Sequence, residues 1–554
     1  MRAKGIRGAL PAVWLAGAGL VVIVAIPFAF IVLQAIFPSL GSGSFADPFA
    51  HFVRTLANPA LIKMTFNTVV LGVSVVILSA LLAVPLGVCR ALYRIPLAPL
   101  WDVLLLVPFM IPPYIATLGW IMTLQPRGYL QQVAGFNLAP FLFSLWGMTF
   151  IMALNTFPVV YFAVSRTVEA VGARYADVAR VFGAAPARAF WRITLPLSAP
   201  GLAASLLLVF AMAIEEYGTP AALGRRAGFE VLVSGIDLRV SDWPIDLPGA
   251  AIISLVLVLL SLLAFLFQRS LLAGRSYETT GGKPQNKDKR PLGSLAVLGF
   301  VLVSFLATGV PLLAVLGTAM QKTISGGLVP GNLGFQNFTA IFANAAGGLR
   351  ALGTSLTLGV ATALIAGLLG ALSSYVVVKT RMRGRSLIDL LTVLPNALPG
   401  IVVAVGLILA WNQPVLPITP YNTSLILLLA YCCILLPHPV RYTHAALMQV
   451  GDNLEAAARV SGASGMTALR RILLPLILPS LISSMLLVFA VASRELVASI
   501  LIAPVGMQTV ATFIWRQFEQ GSIALGMAMA FLAIVLTTLL PLFVLGLMKR
   551  TPMG

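Results

Sequence analysis

Apolar runs of about 20 residues or more alternate with short polar interruptions along the whole chain. That alternation predicts membrane-spanning helices, whose backbone groups are satisfied within each segment. A membrane β-barrel would instead show alternating segments of about ten residues. Twelve runs fall at roughly 10–37, 64–89, 99–124, 139–164, 198–217, 247–267, 294–320, 351–378, 386–411, 423–445, 477–500 and 522–547. The first is long and no small-residue cleavage site follows it, so it is expected to stay as a membrane helix. The predicted fold class is all-α and polytopic.

The pattern also repeats. Leu71-Gly-Val73 recurs as Leu358-Gly-Val360, and Asp102, Pro108, Pro112 and Gly119 recur as Asp389, Pro395, Pro399 and Gly406. Pro158-Val-Val-Tyr161 recurs as Pro439-Val-Arg-Tyr442. Asp177-Val-Ala-Arg-Val-Phe-Gly183, followed by Ile193-Thr-Leu-Pro196, recurs as Ala456-Ala-Ala-Arg-Val-Ser-Gly462, followed by Ile472-Leu-Leu-Pro475. Residues 1–267 and 294–554 are therefore two copies of one six-span unit, joined by a polar segment at 268–293. Six spans is an even number, so the copies run parallel and their relating axis lies along the membrane normal.

Composition agrees with the spans. The 554 residues are 59% hydrophobic and only 10% charged, and the mean hydropathy is +0.99. A soluble fold could not cover that much apolar surface with so few charges. The net charge of +19 raises nucleic acid as a partner, but its distribution argues against it. With the N-terminus inside, 26 Lys and Arg residues fall on cytoplasmic segments, nine on outer ones, and Arg494 lies within a span. This bias places both termini in the cytoplasm and makes the charge a mark of topology.

Pro108, Pro112, Pro395 and Pro399 recur in the third and ninth spans, where kinks could shape a central pathway; proline is also simply common in membrane helices. Cys89, Cys432 and Cys433 have no metal-site or disulfide spacing, and His51, His438 and His444 are scattered. There is no catalytic constellation, so the chain reads as a non-enzyme. No Gly-x4-Gly-Lys-Ser/Thr phosphate loop occurs, so any nucleotide would bind a separate polypeptide.

The repeated Gly-x9-Ile-x-Leu-Pro loop resembles the EAA loop of ATP-binding-cassette importer permeases, and the resemblance covers both halves. It implies two coupling loops that dock an ATPase, carried by Asp177, Ala179, Gly183, Ile193, Leu195 and Pro196 in the first half. In the second half the set is Glu455, Ala457, Gly462, Ile472, Leu474 and Pro475. Segments 175–182 and 187–194 are expected to form two short interfacial helices, with a turn at Gly183 and with Pro196 ending the second. The family's Glu-Ala-Ala reads Asp177-Val-Ala in one loop and Ala456-Ala-Ala in the other, with Glu455 one position early. The alternative for both loops is an amphipathic helix resting on lipid.

Glu215-Glu216 follows the first loop and Arg494-Glu495 the second, with Glu216 and Glu495 in equivalent positions. Ionisable groups inside a span are costly and point to function. They could line the pathway and offer oxygen to a hard cation. Equally, Arg494 could pair with Glu215 or Glu216 as a gate, or the helix could end early and leave them wet. The flanking Glu215-Glu-Tyr-Gly-Thr-Pro-Ala-Ala-Leu-Gly224 looks like a segment of fused ferric-iron importer permeases; permeases for thiamine and 2-aminoethylphosphonate share the layout.

The resemblance implies a transmembrane subunit in the bacterial inner membrane that uses alternating access. It would pair with two copies of an ATPase, which carry ATP and Mg²⁺, and with an extracytoplasmic substrate-binding protein. The chain itself would bind no cofactor, touch only lipid besides these partners, and need no homodimer. The outer segment 219–247 is expected to contact the binding protein. The rival class is a secondary transporter of the major-facilitator type. Against it, Arg90-Ala-Leu-Tyr-Arg94 lacks that family's Gly-x3-Asp-Arg/Lys-x-Gly signature.

Overall fold

The structure, a computed structural model, describes residues 13–550 apart from 274–290, 381, 383, 414–415, 452–453, 455–456, 459 and 464. The protein is all-α and polytopic, with no strand among the described residues. Among the described residues, eight helices are long and apolar enough to cross a membrane: Val13–Ile36, Pro59–Leu92, Leu145–Ala170, Phe190–Glu215, Leu247–Leu271, Ser294–Ala319, Gly348–Lys379 and Arg470–Ala492. Three further predicted spans are bent helix pairs, and the twelfth begins as the apolar helix Ile523–Thr538.

The prolines of the third and ninth spans do more than kink them. Ala98–Met110 meets Pro113–Ala134 at 95°, and Arg385–Ala397 meets Gly400–Trp411 at 117°. Pro112 and Pro399 sit at the corners with nearly the same backbone, φ −54° and ψ 133° or 144°. A proline in extended conformation starts a helix easily but cannot continue one. In the first half Asn155 of the fourth span donates to the carbonyls of Pro108 (2.7 Å) and Ile111 (3.2 Å), satisfying the chain at the break.

Other prolines are absorbed without a break. Short π-helical turns at Val21–Ala25, Phe190–Thr194, Phe305–Gly309 and Leu469–Leu473 each end two residues before a proline: Pro27, Pro196, Pro311 and Pro475. Proline removes one i→i−4 bond and crowds the carbonyl four residues back; the wider turn gives that carbonyl room. The fifth and eleventh spans therefore run through Pro196 and Pro475.

Two compact units are present. One comprises Pro59–Gly235 and Leu259–Gly334; the other comprises Met1–Asn58, Ile236–Val258 and Phe335–Gly554. In the former, the second span packs on the fourth and fifth, and the seventh span packs on the second arm of the third. In the latter, the eighth span packs on the second arm of the tenth and on the eleventh, and the first span packs on the second arm of the ninth. The seventh span thus joins first-half helices, and the first span joins second-half helices. The same tight contact supports each unit. A β-carbon on Gly72 would lie 2.7 Å from Phe210, and one on Gly359 would lie 3.2 Å from Phe489.

Candidate functional site

The repeated loops fold alike. The helix that contains the fourth span, Leu145–Val181, ends at Gly183, where φ is +84°. The Ala184 amide then donates back to the Ala179 carbonyl at 2.9 Å. In the second copy Gly462 has φ +81° and the Ala463 amide donates to Ala458 at 2.9 Å. This i→i−5 closure around a left-handed residue is how a helix C-terminus satisfies its last carbonyls, and glycine adopts it without steric cost. The next helical turn follows immediately, at Pro186–Ala189 and at Gly465–Ala468.

The expected pair of short helices is therefore corrected. Residues 175–181 continue the 37-residue helix of the fourth span, and 186–194 run directly into Leu195–Glu215. Pro196 does not end the second helix, because the π-turn before it takes up the missing hydrogen bond. Pro475 behaves the same way after Leu469–Leu473. Ile193 and Ile472 are half-buried on these turns; Leu195 is half-buried and Leu474 exposed at the heads of the spans. Asp177 and Ala179 lie on the last turns of the long helix, and Ala457 sits exposed before the second glycine. Glu455 lies outside the described residues. The tips are apolar and exposed, Phe182 at 85% and Val460 at 90%, and Arg188, Arg192, Arg470 and Arg471 are exposed beside them.

The two loops do not join their spans in the same way. The first is continuous with the fourth span. In the second half the helix Pro437–Gln449 stops, and Val450 is extended at φ −80° and ψ 107°. Its carbonyl accepts a 2.9 Å bond from Lys379 Nζ at the end of the eighth span.

At the far ends of the fifth and eleventh spans the equivalent carboxylates do equivalent work. Leu195–Glu215 ends, Glu216 turns extended, and its carboxylate accepts the Thr219 amide at 2.9 and 3.2 Å, capping the helix Gly218–Ala227. Glu495 accepts the Ala498 amide at 3.1 Å through either oxygen and the Ser499 amide at 3.3 Å, capping Val497–Ile502. Side chains tie both capped helices down: Thr219 Oγ1 to Thr117 Oγ1 at 2.8 Å, and Ser499 Oγ to the Tyr431 hydroxyl at 2.5 Å. A carboxylate facing free amides at a helix start is well placed electrostatically. Glu215 is the last residue of its helix, and Arg494 lies in the turn just before Glu495. The segment beyond Glu216 forms two helices, Gly218–Ala227 and Leu232–Ser241, and then a tip where Trp243 is 90% exposed.

Two polar clusters were not picked out from the sequence. Asp102 takes a bidentate contact from Arg90, with Nη2 to Oδ2 at 2.7 Å and Nε to Oδ1 at 3.0 Å, and accepts from the Tyr161 hydroxyl at 2.8 Å. In the second half the matching Asp389 is exposed and position 377 is Val, so the cluster has no counterpart there. Arg441 of the tenth span instead donates to Asn396 Oδ1 at 2.7 Å. The available signal was an aspartate inside an apolar run, with Arg94 and Arg90 eight and twelve residues back.

These features define an integral membrane helical protein with paired loops and broken spans. The sequence profile of the binding-protein-dependent transport system inner membrane component matches residues 76–276 and again 359–551. The chain belongs to that family, as a multi-pass inner-membrane protein with two copies of the component in one polypeptide. It is 26% identical to the ferric transport system permease protein FbpB of Actinobacillus pleuropneumoniae over 514 residues, 89% of this chain and 72% of that protein. It is 24% identical to the Fe(3+)-transport system permease protein FbpB 2 of Haemophilus influenzae over 532 residues, 94% and 95% of the two chains. A putative 2-aminoethylphosphonate transport system permease protein, PhnV of Salmonella typhimurium, is 26% identical over 264 residues, 48% of this chain and 96% of its own.

Proposed function

We propose that the protein is the transmembrane subunit of an importer for ferric iron. Two copies of a separate ATPase, carrying ATP and Mg²⁺, seat on the Gly183 and Gly462 loops, and an extracytoplasmic binding protein delivers the cargo. Both termini face the cytoplasm. Closure of the ATPase dimer draws the loops together and opens the bundle outward; hydrolysis resets it inward. The outer segment around Trp243 contacts the binding protein. The iron reading is supported by the FbpB relatives, which match along most of their length. A phosphonate cargo is the second reading, supported by the PhnV match.

The observation that carries the coupling role is the repetition of one turn, with φ +84° and +81° and identical i→i−5 bonds, at sites 279 residues apart. Nothing lies within 4 Å of a β-carbon at either glycine, so a side chain there meets no clash and perturbs only the backbone. A β-branched residue at positive φ costs about 1–2 kcal/mol, whereas Asn is tolerated. The test is binding-protein-stimulated ATPase activity and uptake in proteoliposomes. Gly183→Val with Gly462→Val is expected to hydrolyse ATP without matching uptake, and the Asn pair to restore coupling. Normal uptake by the Val pair would remove the coupling role.

A further inference from the structure

We infer that Arg441, oriented by Asn396 at the bend of the ninth span, recognises an oxyanion during transport, so that the cargo crosses as an anion or inside an anionic complex. The inference rests on the importer reading above and specifies its cargo chemistry. Arg441 lies within Pro437–Gln449, the second arm of the bent tenth span. Eight residues separate it from the end of that arm, or ~12 Å along the helix. Its side chain is exposed.

Its partner is neutral. Arg441 Nη2 donates to Asn396 Oδ1 at 2.7 Å, and Asn396 Nδ2 donates to the Val393 carbonyl at 3.0 Å, which turns the amide oxygen toward the guanidinium. Asn396 stands in the short 3-10 segment Leu394–Ala397, where the span breaks by 117°. Among the described residues Arg441 has no carboxylate partner. The charge is oriented without being cancelled, and its remaining N–H donors stay available.

The repeat shows that the fold does not need this charge. Val160 occupies the matching place in the first half and is fully buried. An arginine inside a membrane bundle faces protein or water, because lipid exposure at that depth is costly. The planar fork of donors fits carboxylate, phosphate or phosphonate oxygens, and it repels a bare cation. The carboxylates of Glu216 and Glu495, which would otherwise attract a hard cation, accept backbone amides instead. Ferric ion prefers hard oxygen ligands, so a citrate or phosphate complex would present the oxygens that Arg441 reads.

The test uses the full transporter, with its ATPase and binding protein, in proteoliposomes of zwitterionic lipid alone and of zwitterionic plus anionic lipid. Uptake of ferric citrate and of 2-aminoethylphosphonate is measured in parallel. Arg441→Gln is expected to cut uptake of the anion that the parent protein carries at least tenfold in both lipids, with binding-protein-stimulated ATP hydrolysis within twofold of the parent. Arg441→Lys is expected to retain more than Gln does. Asn396→Asp keeps the arginine but supplies an internal counter-charge, is expected to lower uptake similarly, and carries the test should Arg441→Gln fail to accumulate. Uptake within twofold of the parent in both Arg441→Gln and Asn396→Asp would overturn the inference. So would a loss seen only with anionic lipid, which would assign the side chain to a headgroup, or a parent protein that moves neither anion. Uptake that needs no ATP would sink the importer reading while leaving the charge preference legible in the same assay.

Discussion

The carbonyl oxygen of Pro311 lies 3.0 Å from where a β-carbon on Gly119 would stand, and the carbonyl of Pro27 makes the same approach, at 2.8 Å, to Gly406. Each proline follows a π-turn, and each glycine lies on the second arm of a broken span. The seventh span is thereby seated on first-half helices and the first span on second-half helices. Backbone oxygen cannot rotate away as a side chain can, so both contacts require glycine. Gly119→Ala and Gly406→Ala are each expected to destabilise the protein by about 1–3 kcal/mol, the usual cost of overpacking, with Gly406→Ala the worse. Thermal unfolding in detergent measures the difference; two unaffected midpoints would mean the spans separate easily.

The capping roles of Glu216 and Glu495 lead to a test of charge against hydrogen bonding. A glutamine oxygen accepts the same amides, whereas alanine leaves them unpaired at about 1 kcal/mol per cap. Glu216→Gln with Glu495→Gln is expected to transport near the parent rate, and the double Ala variant to unfold earlier and transport poorly. Should the Gln pair be as impaired as the Ala pair, the negative charge itself is needed and the carboxylates belong to the cargo's path.

The Arg90–Asp102–Tyr161 cluster predicts an asymmetry between halves that otherwise match. Both charged side chains are mostly buried, 27% and 28% exposed, so removing one leaves the other poorly compensated. Asp102→Ala is expected to cost about 2 kcal/mol, and Arg90→Ala added to it to recover part of that loss. Asp389→Ala, at the exposed counterpart, is expected to fall within about 0.5 kcal/mol of the parent. Equal effects at Asp102 and Asp389 would show that the cluster adds no stability.

Much of this architecture is written in apolar run lengths and repeated landmarks, because lipid forces each span to be long and apolar. Gly183 and Gly462 were legible as turns for the same reason that their substitution is strained: few other residues adopt that backbone. What sequence could not reveal depends on distant partners. Pro112 and Pro399 announced a disturbance, but whether a proline kinks, breaks or merely widens a helix depends on neighbours such as Asn155, or on a π-turn as at Pro196. Arg441 counts as one more cytoplasmic charge until Asn396 is seen beside it. Glu216 and Glu495 invite a pathway role because a span-internal carboxylate is costly, and only the fold shows the free amides that compensate them.

The unequal junctions between span and loop give the last prediction. In the first half one helix, Leu145–Val181, runs unbroken from the fourth span to the loop. In the second half the extended Val450 interrupts the path, and Lys379 bridges the gap to the eighth span through the Val450 carbonyl. A continuous helix transmits force without a hinge, whereas a break transmits only what its bridging contact holds. Breaking the first arm by substituting Gly for Val171, beside Gly172, weakens the helix by about 1 kcal/mol and is expected to lower the transport-to-hydrolysis ratio. Lys379→Met removes the bridge while keeping most of the side-chain bulk, and is expected to lower the same ratio. Lys379→Arg is expected to restore it. Stoichiometry measured as cargo moved per ATP consumed checks both arms. A Lys379→Met variant with unchanged stoichiometry would leave the second junction as a passive break.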